Sequence, residues 1–553
     1  MKKKFAYLAL LGIIAFTVSA CSDFADMFYY GDQPFFTSEN EGGGGYQSIS
    51  TPPPGSTVAN RASLIYKDYV KNNSYPLSST PSIGNAHLLV IPVWFTDSYN
   101  YINTAKRDDI RNDIEKAYFG SNSDGKMGLG SVKSYYEEES HGALTLTGTV
   151  SDWYDCGYQL SRFARDDDVS KTTDLVQSAI TWYFSNNTSE NKTDYDCDKD
   201  GYLDGVMLIY AGPDYQTLGK EYSNDYKNLW AYCYWIQTIK PNKTNPTPNA
   251  FFWASYDFMY DKETAMSKTG YRYHNGDTRY ADVDAHTFIH EMGHMFGLED
   301  YYDYSSFNYR PAGGFSMQDH TVGGHDPFSS FALGWGKAYV PNETTTINLK
   351  PFATSGEMII LTPEWNNYNS PFDEYLILEY YTPTGLNKFD TDNLYMNNSN
   401  SPVGTKSVGI RLWHVDARLV CPTGYDSFNQ TYTFRNAQPT TNPTQVSTYG
   451  VTMMMSNTFD DGNVSTSYLS PMGNSYYNYN LLQLIRNSTS ETYKSQANLT
   501  SANLFGYGAI FRMDAYKKQF VNSNKLNSGK SLGYSFEVKG LMEDYASISI
   551  TKL

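Results

Sequence analysis

The sequence predicts an α/β layer over residues 61–342, followed by a β-rich, sandwich-like region over residues 343–553. Three observations carry this reading. Helical and strand patterns alternate as far as about residue 340. Beyond it, short apolar or alternating runs separated by polar loops take over. Fifty tyrosines and 42 glycines in 553 residues supply β-formers and turns throughout. Hydrophobic residues make up 40% of the chain, enough for a sizeable core, so wholesale disorder is excluded. The net charge is 42 − 59 = −17, which speaks against a general nucleic-acid binder, since that role needs excess cations to displace phosphate counterions.

The chain opens on Lys2, Lys3 and Lys4, an apolar run Phe5 to Val18, and then Ser19-Ala20-Cys21. A basic start, a short apolar stretch and small residues make an export signal over 1–20, too short for a comfortable membrane span. A cysteine directly after small residues resembles a bacterial lipobox. That resemblance implies cleavage before Cys21, lipid on its thiol, and a place on the bacterial cell surface or periplasmic face. Residues 21–60, with Gly42–Gly45 and Pro52–Pro54, read as a tether that resists regular structure.

Organised structure is then expected from about residue 60. Ala62 to Val70 reads as a short helix. His87 to Phe95 is an apolar run rich in β-formers and reads as a buried strand. Arg107 to Phe119 and Gly130 to Glu139 read as helices, Leu144 to Val150 as an alternating strand. Thr172 to Tyr183 carries Leu175, Val176, Ala179 and Ile180 at helical spacing. Val206 to Gly212 is a second buried strand, and the aromatic Leu229 to Trp235 a third, at a sheet edge. In the second region Thr346–Leu349, Met358–Leu361, Glu374–Tyr381, Gly409–Val415 and Ser535–Lys552 read as strands. Four cysteines remain after Cys21: Cys156, Cys197, Cys233 and Cys421. They allow three disulfide connectivities or a set of unpaired, half-buried thiols.

The sharpest chemical signal is the run from His286 to Asp300, which contains His290-Glu291-Met292-Gly293-His294. In this H-E-x-x-H pattern, positions four apart stack one helical turn above each other, so two imidazoles converge on one point. Glu291 lies on the adjacent edge, within reach of a water activated by a zinc ion between the imidazoles. Asp282 and Asp284 suit the helix start, and Phe288, Met292 and Phe296 form an apolar row away from the histidines. Gly293 costs about 1 kcal/mol against alanine in a helix, which points to close packing there. Gly297 is placed to stop the helix with positive φ. Asp300 follows three residues on, the spacing of a third metal ligand in the longer H-E-x-x-H-x-x-G-x-x-H pattern with Asp for the last His. Glu299 and Asp303 are its rivals. Met317, in Gly313 to Asp319, resembles a methionine turn beneath a metal. His320, His325, Tyr301, Tyr302, Tyr304 and Tyr309 are candidates to steady an oxyanion.

A second acidic constellation is Asp196, Asp198, Asp200 and Asp204 around Gly201. Carboxylates two apart with a glycine turn resemble a calcium loop. Met207 stands where an EF-hand would place its bidentate Glu, so the alternatives are a non-EF calcium loop and a solvated acidic turn.

With these residues in view, the sequence resembles the M6 family of secreted metallopeptidases, the immune inhibitor A type. The resemblance rests on His290 to Tyr302, on Ser131 to Gly142 with the following strand and Trp153, and on the acidic loop and strand 194–212. It extends through Pro327 to Trp335, Glu374 to Glu379 and Gly409 to Asp416. It implies a zincin-type metalloprotease catalytic domain followed by β-rich modules. It also implies zinc on His290, His294 and Asp300, Glu291 as general base, and protein or peptide substrates. The alternative from another class is a surface adhesin or glycan-binding lipoprotein, which abundant tyrosine and a β-rich second half would suit.

Overall fold

The computed structural model describes residues 51–59, 80–121, 130–260 except three residue pairs, 283–363 except 299, 303–309 and 320, 374–391, 404–416, 480–493 and 498–553, and the strand backbones 422–426 and 431–434. Cys21 and the helix expected over Ala62 to Val70 lie outside them. The fold is mixed α/β with several sheets and few helices. Its described residues form two compact units: one takes in 80–138 and Leu144–Gly297, the other 51–59, Glu139–Ala143 and the described part of Leu298–Leu553.

The first unit is built on a six-stranded sheet. In chain order its strands are β1 (Gly84–Trp94), β2 (Leu144–Val150), β3 (Tyr154–Asp155), β4 (Val206–Tyr210), β5 (Tyr232–Trp235) and β6 (Ala250–Ser255). The spatial order is β2-β1-β4-β6-β5, with β3 also on β1. All neighbours are parallel except β5 and β6, which pair antiparallel from Tyr232↔Trp253 to Trp235↔Ala250. The aromatic strand therefore sits at the sheet edge, as its composition suggested. Strand β6 is a further element that the sequence reading did not single out.

Helices cover both faces. α1 is Arg107–Phe119, α2 Val132–Glu139, α3 Val169–Asn186 and α4 His286–Met295. α3 buries Leu175, Val176, Ala179, Ile180 and Tyr183 against Leu89, Ile91, Val93, Leu208, Phe251 and Trp253. Residues of β6 alternate, so Phe252 faces the opposite side and meets Phe288 of α4 edge-on, with ring centroids 5.3 Å apart. Trp253 is fully buried, stacked on Tyr210 at 4.5 Å, and its indole N–H donates to the Asn228 carbonyl at 2.9 Å. Where α1 crosses β2, Gly148 leaves no space for a β-carbon. One added there would stand 2.5 Å from the Leu88 carbonyl oxygen and overlap the Phe119 ring. Since the oxygen is backbone and cannot step aside, Gly148→Ala is expected to destabilise the chain by about 1–3 kcal/mol. Urea unfolding reads this as a lower midpoint at unchanged slope.

The second unit contains a two-stranded sheet, Pro422–Asp426 with Thr431–Phe434, and two larger ones. One has six strands in the order Ser56–Val58, Lys337–Pro341, Glu357–Leu361, Glu374–Tyr381, Gly409–Asp416 and Leu482–Ile485. The other runs Ile510–Phe511, Tyr534–Leu541, Ala546–Lys552 and Thr345–Leu349. Leu376, Leu378, Ile410 and Leu412 of the first sheet share one apolar cluster with Phe536, Val538, Ile548 and Ile347 of the second. The span read as a tether needs correcting at its end. Ser56–Val58 pairs antiparallel with Tyr339–Pro341, so organised structure begins before residue 60. Backbone complementarity at a sheet edge outweighs the Pro-Gly composition that suggested disorder there.

His141, at φ 52, sits in this unit against Phe352. Burial lowers its pKa to about 4, with Lys337 adding to the shift. A base depressed in the folded state costs nothing while both states are neutral. Stability is therefore full above pH ~6.5, the ordinary histidine value, and is lost as pH falls from there toward 4 while the unfolded chain binds the extra proton. His141→Asn, which tolerates the left-handed backbone, should flatten the melting temperature over that window. An equal slope in both proteins would refute the assignment.

Candidate metal centre

The motif helix forms as its pattern predicts. Asp284, one residue before the N-cap Ala285, accepts from the His286 backbone N–H at 3.0 Å and so satisfies one donor at the helix start. Asp282 lies outside the described residues. Phe288, Met292 and Phe296 are all buried. Phe288 stacks on Tyr118 at 5.2 Å, and Phe296 meets Tyr136 edge-on at 5.0 Å. Gly297 takes φ 94 and its N–H closes the helix on the His294 carbonyl at 2.8 Å. Two side chains from other elements fasten the turn that carries the chemistry. The Tyr136 hydroxyl of α2 donates to the Ile289 carbonyl at 2.7 Å, and the Cys233 thiol of β5 to the Glu291 carbonyl at 3.1 Å.

With the apolar row packed inward, the opposite stripe is left for His290 and His294. Their rings lie 5.0 Å apart at 88°, and both are half-buried. One nitrogen from each and one carboxylate oxygen of Glu291 all fall within 4.8 Å of one another. Glu291 is buried. Two imidazole nitrogens are borderline donors of the kind zinc accepts, and the Glu291 carboxylate stands beside them.

Asp300 falls in the second unit, buried, and its Oδ2 accepts from the Tyr302 hydroxyl at 2.9 Å. Its rivals Glu299 and Asp303 lie outside the described residues, as do His320, Tyr304 and Tyr309. Tyr301 is buried and its hydroxyl accepts from Ser329 at 3.0 Å, while His325 is buried and its backbone N–H donates to Glu139 at 3.1 Å. Met317 is fully buried.

The acidic loop brings Asp196, Asp198 and Asp204 together, one oxygen of each within 4.8 Å of the others; Asp200 is not part of that group. Gly201 turns at φ 96, where a β-carbon would stand 2.8 Å from the Asn242 nitrogen. Asp196 accepts from the backbone N–H groups of Asp200 and Gly201, both at 3.0 Å. Asp204 accepts from Cys197 at 3.1 Å and from His87 at 2.8 Å, which ties the loop to β1. Cys156, Cys197 and Cys233 form no disulfide among the described residues, and Cys421 lies outside them. Burial pushes the Cys156 thiol up to about 11, which leaves it a packing group rather than a nucleophile.

Among the described residues no helix is long and apolar enough to cross a membrane. No curated protein is similar enough to match the chain. Residues 83–320 match the family model described as immune inhibitor A peptidase M6, catalytic domain, a span that contains both His290-Glu291-His294 and the acidic loop. By that match residues 83–320 are similar to the catalytic domain of the M6 metallopeptidases.

Proposed function

We propose that the protein is an exported, membrane-anchored zinc endopeptidase. The observation that carries this is the convergence of His290, Glu291 and His294 on one helix inside a region that matches a peptidase family. On this reading His290 and His294 hold the ion by ring nitrogens, and Asp300 is its third ligand. Zinc, when bound, supplies Lewis acidity at the scissile carbonyl and acidifies water. Glu291 takes the proton of the attacking water as its oxygen bonds to the carbonyl carbon, then delivers it to the amine nitrogen as the C–N bond breaks. The buried setting of Glu291 keeps bulk water from competing for that proton. An extended substrate pairs along β5, the outermost strand of its sheet among the described residues, by strand addition, with β5 already fastened to α4 through Cys233.

The acidic loop takes a calcium ion on Asp196, Asp198 and Asp204, with Asp200 beside them, since an all-oxygen set suits a hard cation. Lipid on Cys21 holds the protein at the bacterial cell surface or periplasmic face. Elemental analysis of purified protein, joined to cleavage of an unfolded protein with and without a chelator, tests the reading. One zinc per chain with chelator-sensitive cleavage supports it. Zinc-free protein that cleaves nothing favours the adhesin alternative.

A further inference from the structure

The second unit buries a cation with one edge uncommitted. Arg411, on strand Gly409–Asp416, is only 5% exposed. Its guanidinium carbon lies 4.0 Å from the Phe315 ring centroid and 3.8 Å from that of Tyr381. Contacts with two rings fix the plane of the guanidinium. Nη1 reaches Glu379 at 3.5 Å, a long contact, and the other Glu379 oxygen is taken by the Trp413 indole N–H at 2.8 Å. Nε and Nη2 find no acceptor among the described residues.

Those two N–H groups share one edge of the guanidinium and point the same way. That is the fork that pairs with the two oxygens of a carboxylate or with a phosphate. Leaving charged donors buried and unpaired is costly, so such an edge calls for a partner. A further buried acid that acts on Arg411 does not serve. Asp390, on the short helix Asn387–Thr391, is 4% exposed and keeps its own Oδ2 without a partner. Burial moves its carboxyl up to about 7 despite the nearby Arg411, and burial also raises Glu379. Both acids are thereby drawn toward the neutral form, which weakens them as counter-ions for the guanidinium.

We propose that the Nε–Nη2 edge of Arg411, clamped by Phe315 and Tyr381, binds a small oxyanion, in the first instance a carboxylate. Because Phe315, Tyr381, Glu379 and Asp390 around this edge are all buried, the ligand is a small ion rather than a peptide chain. The inference rests on the second unit alone and stands whether or not the protein is a peptidase.

The full-length protein is first denatured, and the organic acids and phosphate released are measured by ion chromatography. After extensive dialysis the folded protein is titrated with acetate, phosphate or chloride at constant ionic strength while its melting temperature is followed. Recovery of about one oxyanion per chain, or a saturable rise with acetate or phosphate that chloride does not give, supports the site. The acetate and phosphate arms tell the two sources apart. Arg411→Lys keeps the charge but loses the fork, and should move the midpoint at least tenfold; Phe315→Leu loosens the clamp and should move it less. If Arg411→Lys fails to fold, the wild-type titration decides alone. No released oxyanion together with equal responses to acetate, phosphate and chloride means that water lines this edge, and the inference fails.

Discussion

Glu291→Gln is expected to keep its metal and lose turnover by about three orders of magnitude, the middle of the range for general acid–base catalysis. The amide has nearly the shape of the carboxylate but cannot accept a proton from water. Little else should change. The Cys233 thiol holds the backbone carbonyl of Glu291, not its side chain, and α4 is fixed by Phe288, Met292 and Phe296. Metal content and melting temperature should therefore stay near wild type while kcat falls. If kcat for an unfolded protein substrate stayed within a few-fold of wild type, Glu291 would not be the base.

His294→Ala is expected to lose the ion itself. The variant deletes one of two imidazoles that stand a turn apart, while the helix stop survives because Gly297 closes on the His294 backbone carbonyl. Metal content should drop toward zero and cleavage with it. A stability readout separates metal loss from misfolding. An ion present at a hundred times its dissociation constant adds about 2.7 kcal/mol to folding. With calcium kept in excess, a zinc-selective chelator should therefore lower the wild-type melting temperature by several degrees and leave the variant's unchanged. A variant that still holds one zinc per chain and responds to chelator would remove His294 from the ligand set.

The sequence reveals what depends on spacing within one element. The histidine pair, the apolar row of α4 and the glycine stop are all local, and all appear as read. Strands with clear boundaries, such as Leu144–Val150 and Glu374–Tyr381, are equally legible. Strand β6 was missed because all six of its residues are buried, so it shows no alternation to separate it from any apolar run. Lys337–Pro341 and Leu482–Ile485 are short, and the first is closed by a proline. Ser56–Val58 owes its strand form to a partner almost three hundred residues away. The fastening of α4 by Tyr136 and Cys233 is likewise a contact between distant segments, which no periodicity encodes. Arg411 is hidden for the same reason: its rings and acids come from three separate stretches of chain.

Family homology and folding unit part company near residue 300. The matched region runs to residue 320, yet from Leu298 onward the chain is built into the second unit. There the Leu484 N–H donates to the Pro311 carbonyl at 2.8 Å and the Leu499 N–H to the Gly313 carbonyl at 3.0 Å. A gene trimmed to the homologous stretch would encode Arg310–Asp319 without the strand that receives it, and secretion hosts would meet a ragged terminus open to nicking. The later modules are thus not ornaments hung on a self-sufficient protease, and shuffling them between relatives would exchange part of the loop scaffold along with them.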